Sequence, residues 1–187
     1  MKKTILLFLI VSTFYNHANS QITKGNWLVG GNATFSRLQN SSTASAQFKQ
    51  TNFEIRPVFG YFLKDKFAIG LDPSLTYGSN IINNSNNSST SFSIGPFIRY
   101  YFLDTENMVN LFVETGYDYY AITGKALGKG QHLNTFSFSG GPVIYFNTSV
   151  GLEFIIAYST TKVVGFSGNN NKIQFGVGFQ IHLEKDK

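Results

Sequence analysis

The 187-residue chain contains no cysteine. That excludes disulfides, thiolate catalysis and Cys-bound zinc, and also a lipid anchor attached through a cysteine at a cleavage site. Charge is scarce, at 13% of residues, against roughly 25% in an ordinary soluble domain. The chain therefore has little with which to clothe a wet surface. Long apolar runs are missing too. No window offers about 18 consecutive apolar residues, so the sequence holds no transmembrane helix. The net charge of +5 drops to +3 without Lys2 and Lys3. It is not gathered into a basic stripe, and nucleic acid is not an expected partner. Aromatics are abundant: 16% of the chain, with 19 Phe and 10 Tyr. A chain too apolar for water and without a helical span is expected to cross a membrane as a closed β-barrel.

The first twenty residues read differently from the rest. Met1-Lys2-Lys3 is a positive start, Ile5 to Val11 a short apolar run, and Ala18-Asn19-Ser20 puts small residues where a signal peptidase reads. This predicts a secretory signal over 1–20, cut before Gln21, and one barrel domain over 21–187. The apolar run is too short to span a membrane itself.

From there the chain alternates in period two. Ile173, Phe175, Val177, Phe179, Ile181 and Leu183 alternate with Gln174, Gly176, Gly178, Gln180 and His182. The same pattern predicts strands near 26–36, 52–63, 67–78, 91–103, 108–121, 134–146, 150–160 and 172–183. Each is long enough for a tilted membrane strand of about 9–11 residues. Short connections (64–66, 104–107, 147–149) alternate with long Ser/Asn/Gly-rich ones (37–51, 79–90, 122–133, 161–171). Short periplasmic turns and longer external loops make an eight-stranded, antiparallel, up-and-down outer-membrane barrel with both termini in the periplasm. Three hairpins close with faces matched if Leu63 pairs with Phe67, Leu103 with Met108 and Phe146 with Val150. Phe53 to Pro57, Phe92 to Pro96 and Phe138 to Pro142 share a weak repeat, read as hairpin repetition. All four prolines (Pro57, Pro73, Pro96, Pro142) fall inside strands, where bulges or bends are expected.

Charge decides which face meets lipid. The apolar face carries no Asp, Glu, Lys or Arg; a Lys or Arg there would cost about 2–4 kcal/mol at midplane. The opposite face reads as Gly, Ser, Thr, Asn and Gln, charged only at Glu54, Arg56, Asp72, Arg99, Glu114, Asp118 and Glu153. No lysine sits on it, unlike the solvent face of a soluble barrel. That face suits a narrow lumen filled by side chains. Arg56 should lie diagonal to Asp72, and Arg99 diagonal to Glu114, in an internally paired network. Aromatics should form two girdles: Tyr61, Tyr100, Phe102 and Phe146 near the short turns, and Phe35, Phe53, Tyr77, Phe92, Tyr119, Phe136 and Tyr158 near the long loops.

The last strand, Gln174-Phe-Gly176-Val-Gly-Phe179-Gln-Ile181, matches the C-terminal assembly signal of outer-membrane proteins, carried by Gln174, Gly176, Phe179 and Ile181. It departs from the usual form in continuing to Lys187. With Trp27 to Asn32 and Gly95 to Phe102, the chain over 21–183 resembles the small OmpA/OmpX/OmpW-like barrels. The resemblance implies insertion by the barrel-assembly machinery and no single activity.

Chemistry is sparse. Beyond the leader only His132 and His182 remain, and His132 with Ser137 and Asp118 is the one conceivable catalytic set. No phosphate-cradling loop or metal-ligand spacing is present, so no enzyme activity, cofactor or metal is expected. The long loops and their margins hold Arg37, Lys49, Lys125, Lys129, Lys162 and Lys172 and no carboxylate. Lysines bind phosphate as point charges, so lipopolysaccharide and outer-membrane lipid are the expected partners of a monomer. The expected function is a structural or surface-interaction barrel. The alternative is a channel for small solutes or hydrophobic compounds, and a membrane enzyme ranks below both.

Overall fold

The computed structural model describes residues 22–40, 48–82, 85–124 and 130–183. The expected leader lies outside them. Ten strands are found among the described residues: β1 (Trp27–Asn40), β2 (Phe48–Lys64), β3 (Phe67–Leu71), β4 (Ser74–Ile82), β5 (Ser85–Ile94), β6 (Pro96–Tyr101), β7 (Val109–Gly124), β8 (Gln131–Tyr145), β9 (Val150–Val163) and β10 (Asn170–Leu183). Every pairing is antiparallel, and β1 joins both β2 and β10, so the sheet closes on itself. No helix among the described residues is long and apolar enough to cross a membrane.

The ten strands occupy eight places round the wall. β3 and β4 share one place, and β5 and β6 share another, because each run is interrupted once. β2 pairs with β3 up to Phe59↔Leu71 and with β4 from Ile55↔Leu75, in a single register. Pro57 and Pro73 therefore fall on the same rung, and neither has an N–H for the ladder. The next wall position breaks at Gly95. There one hydrogen bond, from the Asp72 N–H to the Gly95 carbonyl at 3.0 Å, bridges the gap. The β8–β9 ladder likewise stops at Gly140↔Ile156 and resumes at Val143↔Glu153 around Pro142. The prolines thus sit at gaps that keep the register and not at bulges, the first of the two expected devices. The bulge falls at Leu63 instead: Phe62 pairs with Ala68 and Lys64 with Phe67, so Leu63 is not the partner of Phe67. Lys66 takes a positive φ of 66° in this tight turn.

One hairpin register also differs from expectation. Tyr101 pairs with Phe112 and the Phe102 N–H donates to the Leu111 carbonyl, two residues away from the Leu103–Met108 pairing. The Asn110 side chain explains the longer turn. It accepts from the Leu103 N–H at 3.0 Å and donates to the Leu103 carbonyl at 3.1 Å, taking over ladder bonds. Phe146 pairs with Val150 as expected, through its N–H to the Val150 carbonyl at 2.9 Å.

The strands run further outward than their periodicity indicates. β1 and β2 remain paired to Asn40↔Phe48, and most of the expected 79–90 loop is the β4–β5 hairpin, paired to Ile82↔Ser85. Polar residues on both faces hide this extension from a hydrophobic pattern. The outer wall is apolar: Ile69, Ile98, Leu111, Phe138, Phe154, Ile156 and Val177 are all exposed. Tyr100 and Phe102 meet edge to face at 5.3 Å near the short turns, as do Trp27 and Tyr61 at 5.2 Å.

Candidate functional site

The lumen gathers the chain's interior polar groups, and its two halves differ. At the short-turn end it is packed solid. Leu28, Phe62, Ala68, Phe97, Tyr101, Phe112, Val143 and Tyr145 form a buried cluster. His182 is fully buried among them, its ring 5.3 Å from that of Phe62 and 5.5 Å from that of Tyr145. The lumen face is therefore not polar throughout, as the composition suggested. Its short-turn end is an aromatic plug.

A charged layer rests on the plug. Arg99 is only 4% exposed. Its Nε donates to Glu114 Oε2 at 2.7 Å, and its Nη1 donates to Glu153 Oε1 at 2.5 Å and Gln180 Oε1 at 3.2 Å. Arg99 and Glu114 stand directly opposite on one rung, not diagonally, because of the register shift at Asn110. The Tyr101 hydroxyl donates to Gln180 Oε1 at 2.7 Å, and Gln180 Nε2 donates to the Tyr145 hydroxyl at 3.0 Å. The guanidinium also lies over the Phe112 ring, 4.6 Å from its centroid. These bonds tie β6, β7, β8, β9 and β10 together across the bore. Such a layer is costly to break, since removing one partner strands the others in a low-dielectric site.

The second arginine sits in a separate group. Arg56 Nη1 donates to Asp72 Oδ2 at 3.0 Å and Nη2 donates to the Tyr120 hydroxyl at 2.6 Å. Asp118 Oδ1 lies 3.8 Å from Nη2, and Glu54 Oε1 lies 3.6 Å from Nε. Gly95 makes room for this cluster, on the rung between Asp72 and Asp118. A Cβ there would come within 2.6 Å of Asp118 Oδ1. The seven charged residues expected in the lumen are thus brought into two groups, three carboxylates on Arg56 and two on Arg99. The sequence did not single out Tyr101, Tyr120, Tyr145 and Gln180 as their partners. Only Gln180 carried a signal, as a polar member of the final alternation.

These two layers border a cavity of about 420 Å³, lined further by Ser and Thr side chains such as Thr135, Ser137, Ser159 and Thr161. The Thr135 and Thr161 hydroxyls meet at 2.8 Å. Among the described residues no group of His, Cys, Asp and Glu is arranged to hold a metal. His132 lies on the outer face, its Nδ1 2.8 Å from the Tyr119 hydroxyl and its ring stacked on that of Tyr119 at 5.5 Å. Asp118 and Ser137 line the lumen, so the wall separates them from His132 and these three residues do not come together.

The rim cations divide by strand parity. Arg37, Lys49 and Lys162 project from the outer face beyond the upper aromatic residues, and Lys172 lines the cavity. Lys125 and Lys129 lie outside the described residues. Within the expected assembly signal, Phe179 and Ile181 pair with Gly31 and Val29, while Gln174 and Gly176 border the cavity.

No protein-family model matches the chain, and no curated protein matches it. Solved structures do. Neisserial surface protein A is 16% identical over 84% of this chain and 97% of its own, with a TM-score of 0.52. The N-terminal β-barrel domain of Pseudomonas aeruginosa OprF is 14% identical, covering 86% and 98%, with a TM-score of 0.46. The Yersinia pestis outer membrane protein Ail is 12% identical, covering 86% and 100%, with a TM-score of 0.37. The chain shares the closed antiparallel β-barrel fold of Neisserial surface protein A.

Proposed function

We propose that this chain is a non-conducting, non-catalytic outer-membrane barrel whose work is done at its outer surface. The observation that carries the reading is the closed lower lumen. Tyr101, Tyr145, Phe62 and His182 are completely buried there, and the Arg99–Glu114–Glu153–Gln180 layer lies on top of them. A hydrogen-bonded layer of this kind on a buried aromatic cluster supports a lumen closed to water at the short-turn end. In this reading the short turns and both termini face the periplasm, and the long connections face outward.

The charge distribution supports the orientation and the partner. Every carboxylate among the described residues lies in the lumen or at a short turn, the latter being Asp65, Asp104 and Glu106. On the outer wall at the long-loop end stand Arg37, Lys49 and Lys162, unopposed by acid. They are suited to the phosphates of lipopolysaccharide in the outer leaflet. Insertion by the barrel-assembly machinery through Gln174, Gly176, Phe179 and Ile181 belongs to the same proposal, as does a monomeric state. Planar-bilayer recording of the refolded chain without residues 1–20 tests the central point. Folded protein should give no steady unitary current, and a steady current would overturn the closed-lumen reading.

A further inference from the structure

The wall is not closed over its full height. β1 and β10 share rungs only from Trp27↔Leu183 to Gly31↔Phe179. Above Gly31, β1 runs on to Asn40 paired only with β2, and β10 above Phe179 pairs only with β9. Two strand edges, 32–40 and 170–178, therefore face a gap. The strands part at Gly31, whose φ of 140° favours glycine. A Cβ on Gly31 would collide with the Arg56 carbonyl and lie 2.8 Å from Pro57 Cα. β1 is thus drawn tightly onto β2 at the point where it parts from β10.

Exposure reports the gap independently. Thr34, Ser36, Gln174 and Gly176 point toward the lumen side yet are exposed, whereas Thr135 is buried and Ser137 half-buried. On the outer side Phe175 is 75% and Phe35 69% exposed, against 42% for Phe53, which has neighbours on both sides. A Cβ on Gly176 would touch nothing within 4 Å. Phe35 lies on the same rung as Phe53, which pairs with Tyr77, so the lower part of the gap falls between the two aromatic belts, within the outer half of the membrane. Unpaired strand edges are not tolerated against lipid, but they are where they line a water-filled cavity. The 420 Å³ cavity supplies that lining, bordered by Asn32, Gln174, Gly176 and Gly178 from the two edges.

The gap joins an apolar exterior to an acidic interior. Five carboxylates line the cavity, against Arg56, Arg99 and Lys172. In wall order β5, β6 and β7 stand opposite the β1–β10 gap, so Glu114 and Asp118 on β7 face it across the bore. We propose that this seam admits a single-chain cationic amphiphile from the outer leaflet, its head group held near Asp118, Asp72 and Glu114 and its alkyl chain lying in the seam beside Phe35 and Phe175. The cavity volume falls in the ordinary range for small ligands, roughly 300–1,000 Å³. It takes a head group and a few methylenes, not a two-chain lipid. The closed plug beneath makes this a binding site and not a passage, so it stands apart from the conductance test.

The test uses the folded mature chain in zwitterionic nanodiscs, with dodecyltrimethylammonium as the probe. Saturable one-site binding is expected, with no competition from dodecyl maltoside. Asp118→Asn and, separately, Glu114→Gln should each weaken binding about tenfold, a change worth about 1.4 kcal/mol, while heat-modifiable gel mobility confirms that each variant is folded. A nitroxide on Gly176→Cys, the only cysteine in the chain, should be reached by a water-soluble relaxant and lose that access as the probe binds. The proposal is overturned if the probe does not bind, if dodecyl maltoside or dodecyl sulfate binds equally well, or if neither carboxylate variant weakens binding. A label shielded before the probe is added, or unmoved by it, overturns the seam.

Discussion

Gly95 and Asp118 face each other on one rung so closely that a Cβ on Gly95 would stand 2.6 Å from Asp118 Oδ1 and 2.7 Å from the Tyr117 carbonyl. The missing side chain is what lets Asp72 and Asp118 share Arg56 across the break between β5 and β6. Gly95→Ala is expected to destabilise the barrel by about 1–3 kcal/mol, as overpacking does. Urea unfolding in detergent or lipid checks this; an unchanged midpoint would mean that the Asp118 side chain and the wall have room to yield.

Arg99 holds two carboxylates at once, and its loss should be felt more. Arg99→Ala leaves Glu114 and Glu153 without their cation, and a stranded buried charge typically costs about 3–5 kcal/mol. Glu114→Gln and Glu153→Gln in the Arg99→Ala background should recover part of the loss. Thermal unfolding of the three proteins distinguishes the outcomes. Equal stability of Arg99→Ala and the parent would contradict the layer described above.

At the short turns the expectation concerns pH. Lys66 Nζ donates to Asp104 Oδ1 at 2.8 Å, and this hydrogen bond holds the Asp104 carboxyl below its usual range. A lowered folded-state pKa adds stability above the ordinary carboxylate value, and that stability is lost as pH falls through the lowered one. Asp104 is exposed, so the effect is small. Asp104→Asn should be slightly less stable than the parent at neutral pH and indistinguishable from it in strong acid. A difference that persists in strong acid would assign the effect to the turn backbone instead.

The outer cations make a separate prediction. Arg37→Glu together with Lys49→Glu should reduce co-purifying lipopolysaccharide several-fold and leave the unfolding midpoint nearly unchanged, since both side chains stand on the outer wall away from the lumen network. Undiminished lipopolysaccharide would reject these residues as the seat.

Much of this was legible in the sequence, and what was not has identifiable causes. Strand positions, the outward apolar face and the partnership of Arg56 with Asp72 follow from period two and charge. The aromatic plug does not. Gly60-Tyr61-Phe62-Leu63, Tyr100-Tyr101-Phe102 and Tyr145-Phe146 are apolar on both faces, so alternation loses its polar member where the plug begins. The two-residue register shift at Asn110 was invisible for another reason: a shift of two keeps every side chain on its face, and face matching cannot detect it. Outward extensions such as the β4–β5 hairpin, polar but for Ile81 and Ile82, carry too little hydrophobic alternation to read as strands. The seam is a relation between the two ends of the barrel sequence, and its local signs were Gly30-Gly31 in β1 and Gly176 and Gly178 in β10.

The most direct measurement is unitary current from the folded barrel without residues 1–20, recorded beside a variant with its plug cut back at Phe62→Ala, Tyr101→Ala and His182→Ala. The closed-lumen account predicts silence from the parent and ion flow through the variant. Steady current from the parent would contradict it.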